Sequence, residues 1–313
     1  MERSLFVGID VAKDFLDVHV RPRDETWRVP NDAAGHDTLR QRLAIMPDVL
    51  IVLEATGGYE VAVVGALAGA GLAVVVANPR QIRAYARATG QLAKTDTLDA
   101  RIIARFAEGV RPDVRPLPTE QTQALDEMVT RRRQLVEMLG AEKNRRRVVR
   151  DRRVQQRVEA HIAWLKRALR ELDRDLQATI RSSPVWRETE DVLRSVKGVG
   201  PIMTATMLAE LPELGHLTRR KIAALVGVAP INRDSGQFRG RRMIRGGRPA
   251  VRRVLYMATV TAIRRNPVIR AFYQRLRANG RLPKVAMTAA MRKLLTILNA
   301  MVRDGRAWQH QIA

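Results

Sequence analysis

From Val61 to Ala77 the chain runs seventeen residues, VAVVGALAGAGLAVVVA, without a polar side chain. A stretch of that length is either close to a membrane span or a pair of elements buried in a layered core. Gly69-Ala70-Gly71 interrupts it in the middle. The first half, rich in Ala and Leu, suits a helix, and the β-branched run Leu72 to Ala77 suits a buried strand. The segment therefore predicts helix, turn and strand inside an α/β domain, with no bilayer. Its surroundings agree. Residues 4–10 and 15–20 read as strands joined by a hairpin over Val11 to Asp14, and Trp27 to Val29 as a third. The run VLIVL at Val49 to Leu53 is another buried strand. Helices are expected from the Asn31-Asp32 cap to Met46, from Asn78-Pro79 to Ala88, and from Thr95 or Asp96 to Glu108. Strands first in hairpins and then alternating with helices predict a mixed sheet covered by helices.

Pro112, Pro116 and Pro118 mark a boundary. Beyond it, Thr119 to Ile180 contains no proline and only Gly140, which predicts long helices. Val158, Ile162, Leu165, Leu169, Leu172 and Leu176 repeat at coiled-coil spacing, an a/d seam that can pair within or between chains. Ser182-Ser183-Pro184 ends this arm. The expected organisation is thus an α/β domain over 1–112, a helical coiled-coil arm over 113–183, and a mostly helical domain over 184–313.

Charge narrows the function. Residues 1–110 carry 13 basic and 14 acidic side chains, whereas residues 111–313 carry 43 and 18. So one-sided an excess marks a partner rather than a compositional habit, and a phosphate backbone is that partner. No helix pairs a basic face with a convincing membrane-seeking face, so nucleic acid is expected and a membrane is not. The absence of cysteine removes disulfides, thiolate zinc sites and cysteine nucleophiles. The five histidines lack metal-ligand spacing, and the N-terminus lacks a secretory pattern, so a cytoplasmic, nucleoid-associated protein is expected. Phosphate contacts are expected from Lys143, Arg145, Arg146, Arg147 and Arg150 in the segment KNRRRVVRDRR. Gly198 and Gly200, in VKGVGP, resemble the turn of a helix-hairpin-helix element, whose amides and following helix N-terminus receive a phosphate. With aromatic residues at only 4%, base stacking is not expected to dominate.

Two groups of residues can carry chemistry. Asp10 and Glu54 each end an apolar strand, and Asp96 and Asp99 stand three apart near a helix start. Four carboxylates gathered at one sheet edge repel one another unless divalent cations neutralise them. Mg²⁺ suits such oxygen donors and activates phosphodiesters. Asp14 and Asp17 are weaker alternatives to Asp10, and Glu60 to Glu54. The second group centres on Ser235, in INRDSGQFRGRRMIRGGRP. A Ser-Gly pair is ordinarily a turn. Here Arg233, Arg239, Arg241, Arg242, Arg245 and Arg248 surround it and can orient a phosphodiester. No acyl-hydrolase pattern is present, so a nucleophilic Ser235 would attack phosphate.

The motifs VGIDVAKD, LEATGGYE, KTDTLDA, VKGVGP, GVAPINRDSG and RKLLTILNAM occur in that order from Val7 to Met301. Together they resemble the DEDD transposases of the insertion-sequence one-ten family, which includes the Piv-type DNA invertases. The resemblance implies a RuvC-like, RNase H-fold N-terminal domain with Asp10, Glu54, Asp96 and Asp99 as its Mg²⁺ tetrad. It further implies a coiled-coil arm and a C-terminal transposase domain whose Ser235 forms a serine-linked DNA intermediate. Partners implied are double-stranded DNA at element ends and target, a structured guide RNA (the bridge RNA of some members), and further copies of the chain, from dimer to tetramer. The rival enzyme class is a structure-selective RuvC-like nuclease using metal-activated water. A third class is a non-catalytic architectural binder.

Overall fold

In the computed structural model, residues 4–91, 96–114, 119–232, 234–236, 238–240 and 242–309 are described. The chain forms two compact units, Met1–Leu117 and Pro118–Ala313. From residue 118 on, the residues expected to form the helical arm and those expected to form the last domain thus belong to one unit.

The first unit is built on β1 (Leu5–Val11), β2 (Phe15–Arg21), β3 (Glu25–Pro30), α1 (Ala33–Ala44), β4 (Val49–Glu54), α2 (Val61–Gly69), β5 (Ala73–Ala77), α3 (Pro79–Ala88) and α4 (Asp96–Val110). Its sheet runs β3-β2-β1-β4-β5, with β1, β4 and β5 parallel and the two early hairpins antiparallel. The seventeen-residue apolar run becomes α2, a turn and β5, all within this sheet layer. Two caps predicted from sequence are formed: Asp32 accepts from the Gly35 amide at 2.8 Å and Asn78 from the Arg80 amide at 2.9 Å.

Alternation along the strands assigns each face. Val7, Ile9, Val11, Ile51 and Leu53 pack with Leu39 and Leu43 of α1 and with Val63 and Leu67 of α2. Phe6, Leu50 and Val52 face the other way, onto Ile82 of α3 and Ile102, Ile103 and Phe106 of α4. Asp10 and Glu54 share the parity of this second set, so the α4 side of the sheet is the side that bears carboxylates.

The second unit begins with α5 (Glu120–Val148) and α6 (Arg152–Ser182). Only residues 149–151 separate them, and Asp151 caps α6 by accepting from the Arg153 and Val154 amides. The pairs Met128–Thr179, Arg132–Asp173, Glu142–His161 and Arg146–Glu159 step in opposite directions along the two helices, so the helices form an antiparallel hairpin within one chain. Ile162, Leu165 and Leu176 of the predicted seam are buried.

There follow α7 (Pro184–Arg194), α8 (Pro201–Glu210), α9 (Arg219–Val226), the short strands β6 (Asp234–Ser235) and β7 (Phe238–Arg239), α10 (Pro249–Arg265), α11 (Pro267–Ala278) and α12 (Pro283–Asp304). Among the described residues α12 is the one helix long and apolar enough to cross a membrane. Its Ala290, Leu294, Leu295 and Leu298 are nonetheless buried in the core that Val251 and Leu255 of α10 and Ile222 of α9 also fill. At its far end Asn299 accepts from the Gly215 amide and donates to the Leu217 carbonyl, fixing the preceding loop.

Candidate functional site

β1 and β4 are parallel neighbours, with Ile9 opposite Leu53. One residue further along each strand stand Asp10 and Glu54, so the two carboxylates leave the sheet side by side from adjacent C-terminal strand ends. Both are partly exposed. Helix α4 carries Asp99. It crosses β1 so closely that a Cβ on Gly8 would lie 2.3 Å from the Ala100 carbonyl oxygen and 2.3 Å from the Ala104 amide nitrogen. Gly8 and Asp10 share a face of β1, so the helix that carries Asp99 lies against the carboxylate-bearing side of the sheet. Only glycine permits it.

Asp96 opens α4, and its side chain lies outside the described residues. Among the described residues no three or more His, Cys, Asp or Glu side chains assemble into a metal-ligand set. The donor chemistry of Asp10, Glu54 and Asp99 is nevertheless uniform: hard carboxylate oxygens without nitrogen or sulfur, which suits Mg²⁺.

Two of the alternatives, Asp17 and Glu60, are otherwise engaged. Asp17 stands directly opposite Asp10 on β2, but Arg28 of β3 grips it through two 2.8 Å hydrogen bonds. That guanidinium offsets the repulsion between neighbouring carboxylates. Glu60 turns back on its own loop, accepting from the Thr56 amide and hydroxyl and from the Gly58 amide at 2.9 Å. Asp14 is exposed in the β1–β2 turn. Sequence reasoning passed over His19, which the register places opposite Gly8 on the same face. It is almost fully buried, hydrogen-bonded to the Thr26 hydroxyl at 2.8 Å and 3.3 Å from Asp24. Burial, followed by the field of Arg101, lowers its pKa, which favours the neutral ring.

Ser235 lies elsewhere, in the second unit. It is exposed on β6, paired with Phe238 of β7, and followed by Gly236 at φ +55°. An Ile231–Met243 bridge closes the foot of this hairpin, with the Ile231 amide donating to the Met243 carbonyl at 2.9 Å. Arg242 lies 3.6 Å from Asp234. Arg245 is exposed. Arg233, Arg241 and the side chain of Arg239 lie outside the described residues. Arg248 has a different employment: it clasps Glu213 through bonds of 2.6 and 2.7 Å and donates to the Glu210 carbonyl at 2.8 Å.

The remaining basic candidates cluster where α5 meets α6. Arg145 pairs with Glu142 and Arg146 with Glu159, while Lys143, Arg147 and Arg150 are exposed. The two glycines of VKGVGP differ. Gly198, at φ +111°, abuts Ala262 of α10, so packing alone requires it; Gly200 begins α8 with open space around it.

Two family models match the chain. A DEDD transposase family of the IS110 type covers residues 7–152, and the family described as "Transposase IS116/IS110/IS902 family" covers 190–274. The chain belongs to the IS110 family of transposases. It is therefore an enzyme of DNA recombination, and DNA is its partner. Over 98% of both lengths this IS110-family chain is 24% identical to the "Pilin gene-inverting protein" of Moraxella bovis, and equally to that of Moraxella lacunata. An insertion-element IS116 protein of Streptomyces clavuligerus is 30% identical over 145 residues, which span 45% of this chain and 35% of the other.

Proposed function

We propose that this IS110-family transposase mobilises its own insertion element by cleaving and rejoining DNA strands through a phosphoserine link. Asp10, Glu54, Asp96 and Asp99 would hold Mg²⁺ on a RuvC-like, RNase H-type domain. The observation that carries this reading is the side-by-side exit of Asp10 and Glu54 beneath a helix that Gly8 lets approach. The sheet order, an antiparallel meander of β1, β2 and β3 extended by β4 and β5 parallel to β1, supports the RNase H-type assignment. When bound, the metal supplies Lewis-acid polarisation of a phosphodiester.

Ser235 is the nucleophile. Its Oγ forms a bond to phosphorus as its proton passes to solvent; the bond from phosphorus to a deoxyribose oxygen breaks, and that oxygen is protonated as it leaves. The ester energy stays in the serine link, so rejoining needs no external energy source. Exposure of Ser235 on a slender hairpin supports this role, because a duplex can reach it. Arg242 and Arg245 would orient the phosphate, and Lys143, Arg147 and Arg150 would hold backbone further along. A structured guide RNA and a homo-oligomer of two to four copies complete the proposal, in keeping with the basic excess after residue 110. The three-part domain division, 1–112, 113–183 and 184–313, is retained as a proposed division of labour.

The test uses full-length protein, element-end DNA and Mg²⁺, with covalent protein–DNA adducts trapped by denaturation. Ser235→Ala is expected to abolish adducts while DNA binding survives. Normal recombination by that variant would remove the serine from the mechanism. Free DNA ends without adducts from the parent protein would assign the carboxylates to hydrolysis by water.

A further inference from the structure

We infer that a groove between α10 and α12 holds an unstacked base of single-stranded DNA. The groove measures about 660 Å³ and lies wholly within the second unit. Tyr256 and Met257 of α10, Tyr273 of α11 and Met287 of α12 line it. Two of the chain's four tyrosines thus meet in one depression. Tyr256 is 47% exposed and Met257 60% exposed. Side chains of this kind, adjacent and wet, mark a surface that is covered in use.

The chemistry of the rim selects the occupant. Arg252 and Lys284 line the same groove, and an apolar peptide helix has no need of them. Arg252 is fixed in place by donating to the carbonyls of Val226 and Gly246 at 3.1 and 2.6 Å. Residues 233–313 carry 19 basic side chains against Asp234 and Asp304 alone, so the surrounding field draws phosphate. An aromatic face beside a cation and within such a field takes a base by stacking and its phosphates by charge. In a duplex the faces of the bases are covered, so only an opened strand presents one.

Position gives the groove a purpose. Ile244 also lines the groove, and it follows Met243 at the foot of the hairpin that carries Ser235. Counting four extended residues, one cross-strand step and one further residue, Ser235 lies within about 23 Å of Ile244. A strand attacked at Ser235 can therefore leave a base in the groove a few nucleotides away. The inference rests on the DNA-strand reading above for its substrate class, though not on the serine chemistry.

The experiment reads binding alone, by fluorescence anisotropy of full-length protein in EDTA. The probes are a labelled oligothymidylate and a duplex of equal length. Tyr256→Ala is expected to weaken the single strand about tenfold. It should change the duplex by less than about twofold, and Tyr256→Phe should keep single-strand binding because stacking needs only the ring. Binding in EDTA involves no strand cleavage, which separates this test from failure of the serine mechanism. Equal losses on both probes, no loss at all, or a loss with an RNA oligonucleotide but not with DNA would overturn the inference. So would a change of sedimenting mass in Tyr256→Ala, which would give the groove to a second copy of the chain.

Discussion

The first unit holds its carboxylates on the ends of two central parallel strands, locked by a helix lying at backbone contact; the second presents Ser235 on two-residue strands with an exposed surface. One arrangement is rigid because every neighbouring atom resists displacement. The other is light, tied down at its foot by one bridge and by the residues that follow. The contrast fits the chemistry proposed for each. Metal ligands must keep fixed separations, whereas a nucleophile that becomes bonded to a DNA strand has to accommodate that strand.

The difference should appear most sharply at glycines. Gly8→Val sets a branched side chain against the Ala100 and Ala104 backbone, which cannot rotate away. We expect a loss of about 3 kcal/mol or more, or failure of the first unit to fold, read by urea denaturation and hydrogen exchange of β1 and β4. Gly236→Ala meets open space and only the strain of φ +55°. Its cost should be about 1 kcal/mol, confined to the hairpin. Parental stability in Gly8→Val would dissolve the comparison.

A second test probes what anchors the lighter element. Arg248 caps α10, two glycines after Arg245, and its grip on Glu213 and the Glu210 carbonyl ties the end of the serine segment to the C-terminal end of α8 and the loop after it. Both partners are only partly exposed, so the pair is worth more than a surface bridge and less than a fully buried one. Arg248→Ala should cost about 2 kcal/mol and speed exchange of the Ile231 amide, with the salt slope of DNA binding unaltered. Arg248→Lys should restore little, because one ammonium cannot reproduce a two-point grip. A flatter salt slope at unchanged stability would instead make Arg248 a phosphate contact.

The same contrast explains what the sequence disclosed. Strands of the first unit were legible because apolar runs such as VLIVL end abruptly at an acid, and a period-2 pattern fixes which face that acid joins. Asn78-Pro79 and Asp32 announced their helices through capping chemistry that acts within three residues. Gly8 gave no such signal: inside a strand its meaning depends on a helix more than ninety residues later. Asp17 was a weaker alternative to Asp10, and only register revealed Arg28 across from it. The break between α5 and α6 was hidden because neither proline nor glycine marks it; Asp151 was the available sign. Arg248 looked like a phosphate contact because clustered arginines share one appearance in sequence, whatever carboxylates the fold brings to them. Tyr256 and Tyr273 stand on separate helices, and no spacing rule joins them into a groove.

The smallest expected effect separates the units by the sign of their response to acid. In the first, burial and Arg101 lower the pKa of His19 below the ordinary 6.5. The unfolded chain then takes up a proton that the folded unit resists, so stability falls as pH drops through the interval below 6.5. In the second, burial raises Asp126 above 3.8 and Glu210 above 4.5, where α5 meets α8. Here the folded state takes up the proton first. As pH falls through those raised values, the cost of burying charge is relieved and the second unit gains stability. Hydrogen exchange of the full chain between neutral pH and the carboxylate range should therefore show protection in β1 and β2 declining with acid relative to α5 and α8. His19→Gln should flatten the first slope and Glu210→Gln the second. Parallel slopes in the parent protein, unmoved by either substitution, would mean that the two interiors do not differ electrostatically in the way their buried groups indicate.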